Sequence, residues 1–250
     1  MTERQGLPWY NSTVMKTLIV IPAYNEEENI VRVVDNLIQN YPEYDYIVVN
    51  DGSSDQTKQI CKEHGYYYLN QKVNLGLAGT FQTGMKYALR HNYDAVIQFD
   101  GDGQHRPEYI SDMVREIEKG TDIVIGSRFV EEKKPKTMRM FGSNMIELFL
   151  FLTTGRKIND PTSGMRMYSK RIIKTMAEEA NLAPEPDTIA YLIKCGAKTS
   201  EVQVKMDERI AGTSYLTAAK SAHYMAYVSI SIIFISWFRK KIKLEKGGDE

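Results

Sequence analysis

The sequence predicts an α/β fold in which a mostly parallel sheet is covered by helices on both faces. Three observations carry this. Between Lys16 and Gly126, short β-rich runs alternate with longer stretches of helical periodicity, the pattern of successive strand–helix units. The strand candidates are nearly continuous apolar runs, as expected of strands buried on both faces. Polar clusters fall directly after strands, where open parallel sheets bind ligands.

Taken in order, Thr17–Ile21 is the first strand. Its apolar run is too short for a secretory signal and leads into Pro-Ala-Tyr-Asn-Glu-Glu with no cleavage site. Residues 1–14 lack a basic start followed by a long apolar stretch, and read as a flexible tail. Helical periodicity follows over Glu26–Gln39, then a strand at Tyr46–Asn50 and a helix at Asp55–His64. Ser53-Ser54-Asp55 offers N-caps for that helix, and Gly65 is placed to end it in a left-handed conformation. A strand at Tyr66–Leu69, a helix at Leu75–Arg90 and a strand at Ala95–Phe99 come next. Pro107 suits the first turn of a helix reaching Lys119, with Glu108 at the positive end of its dipole, and Asp122–Ile125 is the next strand.

Beyond Gly126 the rhythm changes. Met138–Leu152 reads as an apolar helix, Thr153–Gly164 as polar and turn-like, and Met165–Tyr168 as a short strand before a helix starting near Lys170. Pro184-Glu-Pro-Asp187 opens a helix to Cys195, and Lys198–Met206 alternates like an antiparallel edge strand. This half is expected to complete the sheet and build the second wall of the site. The chain divides into the tail, one catalytic domain over residues 15–215, an apolar or amphipathic helix over 216–240 and a charged, disordered tail over 241–250.

Composition narrows the function. With 32 basic and 32 acidic residues, the bulk charge gives nucleic acid no electrostatic footprint. Cys61 and Cys195 are far apart and have no metal-type spacing, which fits a reducing cytoplasm and two core thiols. Tyr224–Phe238 is apolar but spans 15 positions that include Ser229, Ser231 and Ser236, short of the ~20 needed to cross a bilayer. Arg239, Lys240, Lys241 and Lys243 follow it. Two readings stay open for residues 224–243: peripheral membrane contact, with Trp237 and Phe238 at the lipid boundary, or packing on the domain or on a second copy in a homodimer.

Three polar clusters, Pro22–Glu27, Asp51–Asp55 and Asp100–His105, should converge at one sheet edge. In extended backbone Asp100 and Asp102 point the same way, and Gly101 and Gly103 leave the loop bare enough for a phosphate-bound cation. Oxygen ligands suit Mg²⁺ or Mn²⁺. A single Asp-Gly turn is an ordinary solvated loop; three at one edge are hard to assign to solvation.

Five segments then carry a resemblance: Ile21-Pro-Ala-Tyr-Asn-Glu-Glu27, Asn50-Asp-Gly-Ser-Ser-Asp55, Asn74-Leu-Gly76, Asp100-Gly-Asp102 and Gly126-Ser-Arg128. In order and spacing they resemble family 2 glycosyltransferases over roughly residues 16–215. Asp160-Pro-Thr-Ser-Gly-Met-Arg166 and Arg209-Ile-Ala-Gly-Thr-Ser214 resemble the polyprenyl-phosphate branch, of the dolichol-phosphate-mannose synthase type. The resemblance implies a GT-A fold: a Rossmann-like, mostly parallel central sheet flanked by helices, with a smaller antiparallel portion on the acceptor side. It implies an inverting, metal-dependent enzyme moving a sugar from a nucleoside diphosphate sugar, UDP favoured over GDP, to a polyprenyl phosphate or a cell-surface glycan. Such an enzyme would be cytoplasmic or peripheral on the inner face of the membrane.

The resemblance also implies roles. Pro22, Ala23, Tyr24, Glu26, Asp51, Asn74, Gly76 and Asp100 line the nucleotide, with Arg209 a second cation on the diphosphate. Asp100, Asp102 and Gln104 hold Mg²⁺ or Mn²⁺, and Asp102 is counted as catalytic. Arg128, Arg139, Ser143 and Arg166 form an acceptor-side group, because arginine forks bind phosphate oxygens in pairs. A hydroxyl acceptor needs a base, and Glu185, Asp187 and Asp160 are the candidates; a phosphate acceptor needs none. His105 reads as a structural partner of the metal loop. Two rivals remain: a non-catalytic sugar-nucleotide-binding subunit, and a sugar nucleotidyltransferase, whose early glycine-rich loop Ile21–Glu27 lacks.

Overall fold

The structure, a computed structural model, describes residues 15–179, 182–207 and 218–245. The N-terminal tail, residues 216 and 217, the last five residues and Arg209 with its segment through Ser214 lie outside the described residues, as does the side chain of Arg139.

Strands β1 (Thr17–Ala23), β2 (Asp45–Asn50), β3 (Tyr68–Asn70) and β4 (Ala95–Gln98) run parallel. Helices α1 (Ile30–Asn40), α2 (Thr57–Glu63) and α3 (Gly76–Arg90) connect them. Helix α4 (Ile110–Glu118), entered through a 3₁₀ turn at Pro107–Tyr109, leads to β5 (Ile123–Ser127). The second half adds α5 (Met138–Thr154), β6 (Arg166–Ser169), α6 (Lys170–Glu178), α7 (Pro186–Lys194), β7 (Thr199–Gln203) and α8 (Ala218–Phe238). One seven-stranded sheet results, in the order β3-β2-β1-β4-β6-β5-β7.

The period of two along each strand divides the core. Leu18, Val20, Val49 and Val96 face one cluster with Phe81 and Met85 of α3, while Ile19, Ile21, Val48 and Ile97 face another with Val33, Val34 and Leu37 of α1. Both faces are therefore buried, as the continuous apolar strands require. Cys61 lies in the second core, where burial pushes its thiol up to about 11.

Two expectations change. Helix α1 starts at Ile30, not Glu26: Asn25 has a left-handed φ of +57°, and residues 26–29 form a turn closed by Asn29 N–H to Glu26 O at 3.0 Å, while Asn25 N–H donates to Ser53 Oγ, Glu26 N–H to Thr57 Oγ1 and Glu27 N–H to an Asp55 carboxylate oxygen. Strand β7 is an edge strand, but it pairs with β5 in parallel, from Ile123 opposite Thr199 to Ser127 opposite Gln203. Alternation sets which face a residue points to and not the direction of the strand; the crossover through α6 and α7 sets that. The antiparallel strand is β6, inserted between β4 and β5.

That insertion positions the site. Parallel strands deliver the loops that follow them to their carboxyl edge, whereas an antiparallel strand delivers the loop that precedes it. Arg166 opens β6 opposite Gln98 and Ile125, so the loop 160–164 arrives beside the ends of β4 and β5.

Candidate active site

At the carboxyl edge of the sheet lies a cavity of about 270 Å³ lined by Pro22, Ala23, Tyr24, Glu26, Asp51, Asp100, Gly101 and Asp102, and closed by Leu77 and Thr80 of α3. Most of the residues assigned to the nucleotide thus meet there. Leu77 and Thr80 were not foreseen; only the placement of α3 over β1 reveals them. The loops after β1 and β2 are fastened together: besides the three bonds above, Ser54 N–H donates to Asn25 Oδ1 and Gln56 N–H to Glu27 Oε2. Asp51, buried, accepts Leu75 N–H at 2.6 Å and so fixes the entry to α3. Asn74 and Gly76 do not line the cavity. Asn74 Oδ1 accepts Gly76 N–H, and Gly76 has φ +70° with open space where a Cβ would be. The structure therefore explains this glycine by its left-handed backbone and not by close approach of another part of the protein.

The metal loop is built in detail. Asp100 N–H donates to His105 Nδ1 at 3.0 Å, which makes Nδ1 the unprotonated nitrogen and leaves Nε2 facing Asp100 Oδ2 at 3.6 Å. His105 is buried edge-on against Phe99, the structural partner foreseen for it. Asp102 is buried and accepts Gln104 N–H at 3.1 Å. Gln104 itself does not line the cavity. Its amide nitrogen donates to Asp207 O while its own carbonyl accepts Asp207 N–H, so it fastens the loop to the segment after β7 in place of the metal role assigned to it. Gly164 was not foreseen beside the site: a Cβ there would lie 2.9 Å from Asp100 Oδ2, so any larger residue would make the carboxylate shift.

The acceptor-side group is differently arranged from the expectation. Asp160 is fully buried and grips Arg128 in a fork, Nε to Oδ2 at 2.7 Å and Nη2 to Oδ1 at 2.8 Å, and also accepts Arg128 N–H at 3.1 Å. Its carboxylate holds an arginine and is not placed as a base. Glu201 of β7 in turn accepts the backbone N–H groups of Asn159 and Asp160. Arg166 is buried, donating to Pro184 O and Pro161 O, so it braces the 160–164 loop against the start of α7 and does not face the donor cavity. Ser143 is buried on α5, and among the described residues neither its hydroxyl nor the Arg166 Nε has a hydrogen-bond partner. Arg139 sits in the first turn of α5.

Glu185 and Asp187 line a separate cavity of about 650 Å³ between α3, α7 and α8. Ala78, Gly79 and Gln82 face it, on the opposite side of α3 from Leu77 and Thr80. Asp187 accepts its neighbour Thr188 N–H and the Ser231 hydroxyl, and Glu185 accepts the Tyr224 hydroxyl. Burial raises the Glu185 carboxyl and the Tyr224 phenol. Asp187, one of the candidate bases, is thus engaged with α8 and lies in this second cavity.

The model of the family described as "Glycosyl transferase family 2" matches residues 18–176, from β1 through α6. The chain belongs to glycosyl transferase family 2. It is a glycosyltransferase. It is 35% identical over 182 residues to a UDP-N-acetylglucosamine--dolichyl-phosphate N-acetylglucosaminyltransferase of Methanococcus voltae, covering 64% of this chain and 72% of the relative. It is 26% identical over 227 residues to the polyprenol monophosphomannose synthase of Mycolicibacterium smegmatis, covering 86% of each. Among solved structures, glucosyl-3-phosphoglycerate synthase of Mycobacterium tuberculosis in complex with Mn²⁺ and UDP-glucose shares the fold with TM-score 0.62 at 15% identity, over 89% of this chain and 79% of that one. The α/β architecture of a GT-A glycosyltransferase foreseen from the motifs is the one observed.

Proposed function

We propose that this glycosyltransferase moves a sugar from a nucleoside diphosphate sugar, UDP-linked in preference to GDP-linked, to a polyprenyl phosphate, with inversion at the anomeric carbon. The observation that carries the acceptor is the state of the three carboxylates that could serve a hydroxyl acceptor as base. Asp160 is taken by Arg128, Asp187 by Ser231 and Glu185 by Tyr224. A phosphate monoester, with a second pKa of about 6, is already an anionic nucleophile and needs no base. The names of the relatives support the same acceptor class.

Asp100 and Asp102 fit a hard divalent cation: two carboxylates that both line the donor cavity, on a loop whose glycines 101 and 103 and the facing Gly164 let neighbouring groups pack closely around it. Bound there, the ion supplies charge neutralisation for the departing diphosphate. The cavity residues hold the nucleotide, and Arg128, held in orientation by Asp160, offers its remaining guanidinium edge to phosphate oxygens. As the acceptor oxygen bonds to the anomeric carbon, the bond to the diphosphate breaks and its electron pair leaves with the nucleotide; no proton is transferred.

The acceptor is lipid-borne, and an apolar face is available to meet it. Phe141, Leu148 and Phe151 of α5 are exposed next to Tyr227, Ile230, Phe234 and Trp237 of α8. The two helices touch at Gly142, where a Cβ would lie 2.7 Å from Met225 Cγ. No helix among the described residues is long and apolar enough to cross a membrane. This face, bordered by Lys240, Lys241 and Lys243, is proposed to rest on an anionic bilayer surface.

The test is to incubate the protein with UDP- and GDP-sugars, Mn²⁺ and either a short polyprenyl phosphate or a polyprenol. A sugar-linked polyprenyl phosphate with stoichiometric nucleoside diphosphate is expected, and Asp102→Ala should lose at least about 100-fold in turnover. Transfer to the polyprenol and none to its phosphate would sink the proposal.

A further inference from the structure

We infer that Arg32, on the first turn of α1, is a positioning residue that sets the metal-binding loop; this rests on the metal reading proposed above. Arg32 Nη2 donates to the Asp102 backbone carbonyl at 3.3 Å, across 70 residues of sequence. The guanidinium lies flat against Gly103: a Cβ built there would be 2.3 Å from Nη2 and 2.8 Å from Cζ, and Gly103 has φ +76°. Bare backbone in a left-handed conformation is thus what admits the guanidinium under the loop.

The arginine also reaches back to the donor cavity. Asn29, buried, presents Oδ1 to Arg32 Nη2 at 3.5 Å and donates through Nδ2 to Glu26 Oε2 at 2.9 Å. Glu26 lines the donor cavity with Asp100 and Asp102. The chain Glu26–Asn29–Arg32–Asp102 therefore ties the loop after β1 to the loop after β4 from behind, on the side away from the ligand. Groups that orient metal ligands in this way set the affinity for the ion without touching it. Behind the loop lies a cavity of about 350 Å³ lined by Arg32, Gly103, His105 and Arg106, roomy enough for a free guanidinium ion when the side chain is cut back.

The experiment compares wild type with Arg32→Met, which keeps the stem, Arg32→Lys, which keeps the charge and loses the fork, and Arg32→Ala. The first readout is hydrogen exchange of the 101–105 amides without metal. The second is Mn²⁺ binding with nucleoside diphosphate, followed by the loss of the free Mn²⁺ spin-resonance signal, which needs no turnover. Arg32→Met should exchange faster in this loop and no faster across the core strands, and should need about tenfold more Mn²⁺ for half-saturation. Arg32→Lys should fall between it and wild type, and added guanidinium should restore part of the Mn²⁺ affinity of Arg32→Ala. Loop exchange at the wild-type rate in both Arg32→Met and Arg32→Lys overturns the proposal, as does faster exchange spread over the whole sheet. A wild type that takes up no Mn²⁺ with nucleotide would remove the metal reading, and loop exchange would then decide on Arg32 by itself.

Discussion

Replacing Asp160 with Asn separates a carboxylate that orients an arginine from one that removes a proton. The side chain is fully buried and receives three hydrogen bonds from Arg128, from the backbone N–H, Nε and Nη2, at 3.1, 2.7 and 2.8 Å. Asparagine keeps the shape, yet it has one acceptor oxygen in place of two and turns an NH₂ group toward one arm of the fork. Arg128 is left mostly buried with its charge uncompensated. Breaking one side of such a pair costs about 3–5 kcal/mol. For a chain of this size, at about 2–4 °C per kcal/mol, Asp160→Asn should melt some 6–20 °C lower. Turnover should fall as Arg128 loses its orientation, while the acid limb of the rate profile stays near about pH 6, where the acceptor phosphate takes up its second proton. Thermal melting and a pH–rate profile with polyprenyl phosphate measure both. A variant that melts like wild type and loses about 100-fold or more in rate with no acid limb would show that Asp160 is the base, and the argument from its pairing would fail.

Glu185 carries a sign that can be checked. A carboxyl raised by burial binds more protons in the folded than in the unfolded chain, so its contribution to stability falls as pH rises from the ordinary carboxylate range through its folded value. Glu185→Gln keeps an acceptor for Tyr224 and removes this loss, so its melting temperature should gain on wild type as pH rises above the ordinary carboxylate range; a pH-independent difference would contradict the assignment. Gly164→Ala should leave melting nearly unchanged and raise the Mn²⁺ requirement, because the added methyl presses on the Asp100 carboxylate; equal metal titrations would refute this. Phe234→Ser with Trp237→Ser should weaken flotation with anionic vesicles by about tenfold at equal activity on a detergent-dispersed acceptor.

How far the sequence could be read depended on whether a feature is local. The strand runs, the loops after β1, β2 and β4, and Gly65 with its φ of +68° were all legible, because each is fixed by a few adjacent residues. The carboxylates were legible as chemistry, and their partners were not. Asp160 meets Arg128 across 32 positions and Asp187 meets Ser231 across 44, and no periodicity announces such pairs. The bond from Gln104 to Asp207 was hidden for the same reason, since Asp207 reaches it only after the chain has passed through three further strands. Leu77 and Thr80 became donor-cavity residues once α3 lay on β1, and β7 took its direction from two helices that alternation in its own residues could not register.

The bonds that fasten Asn25–Glu27 to Ser53–Thr57 have a thermodynamic consequence. The protein's own side chains hold both loops in their mutual arrangement and satisfy their backbone donors without any ligand group. Donor binding then freezes few torsions on this side of the cavity, so little ordering entropy opposes it. The contact of α5 with α8 is mostly apolar, with Gly142 against Met225, so that wall is held more by packing than by directed bonds. For the proposed donor and lipid acceptor, this difference predicts that heat-capacity changes measured separately for the two ligands will differ.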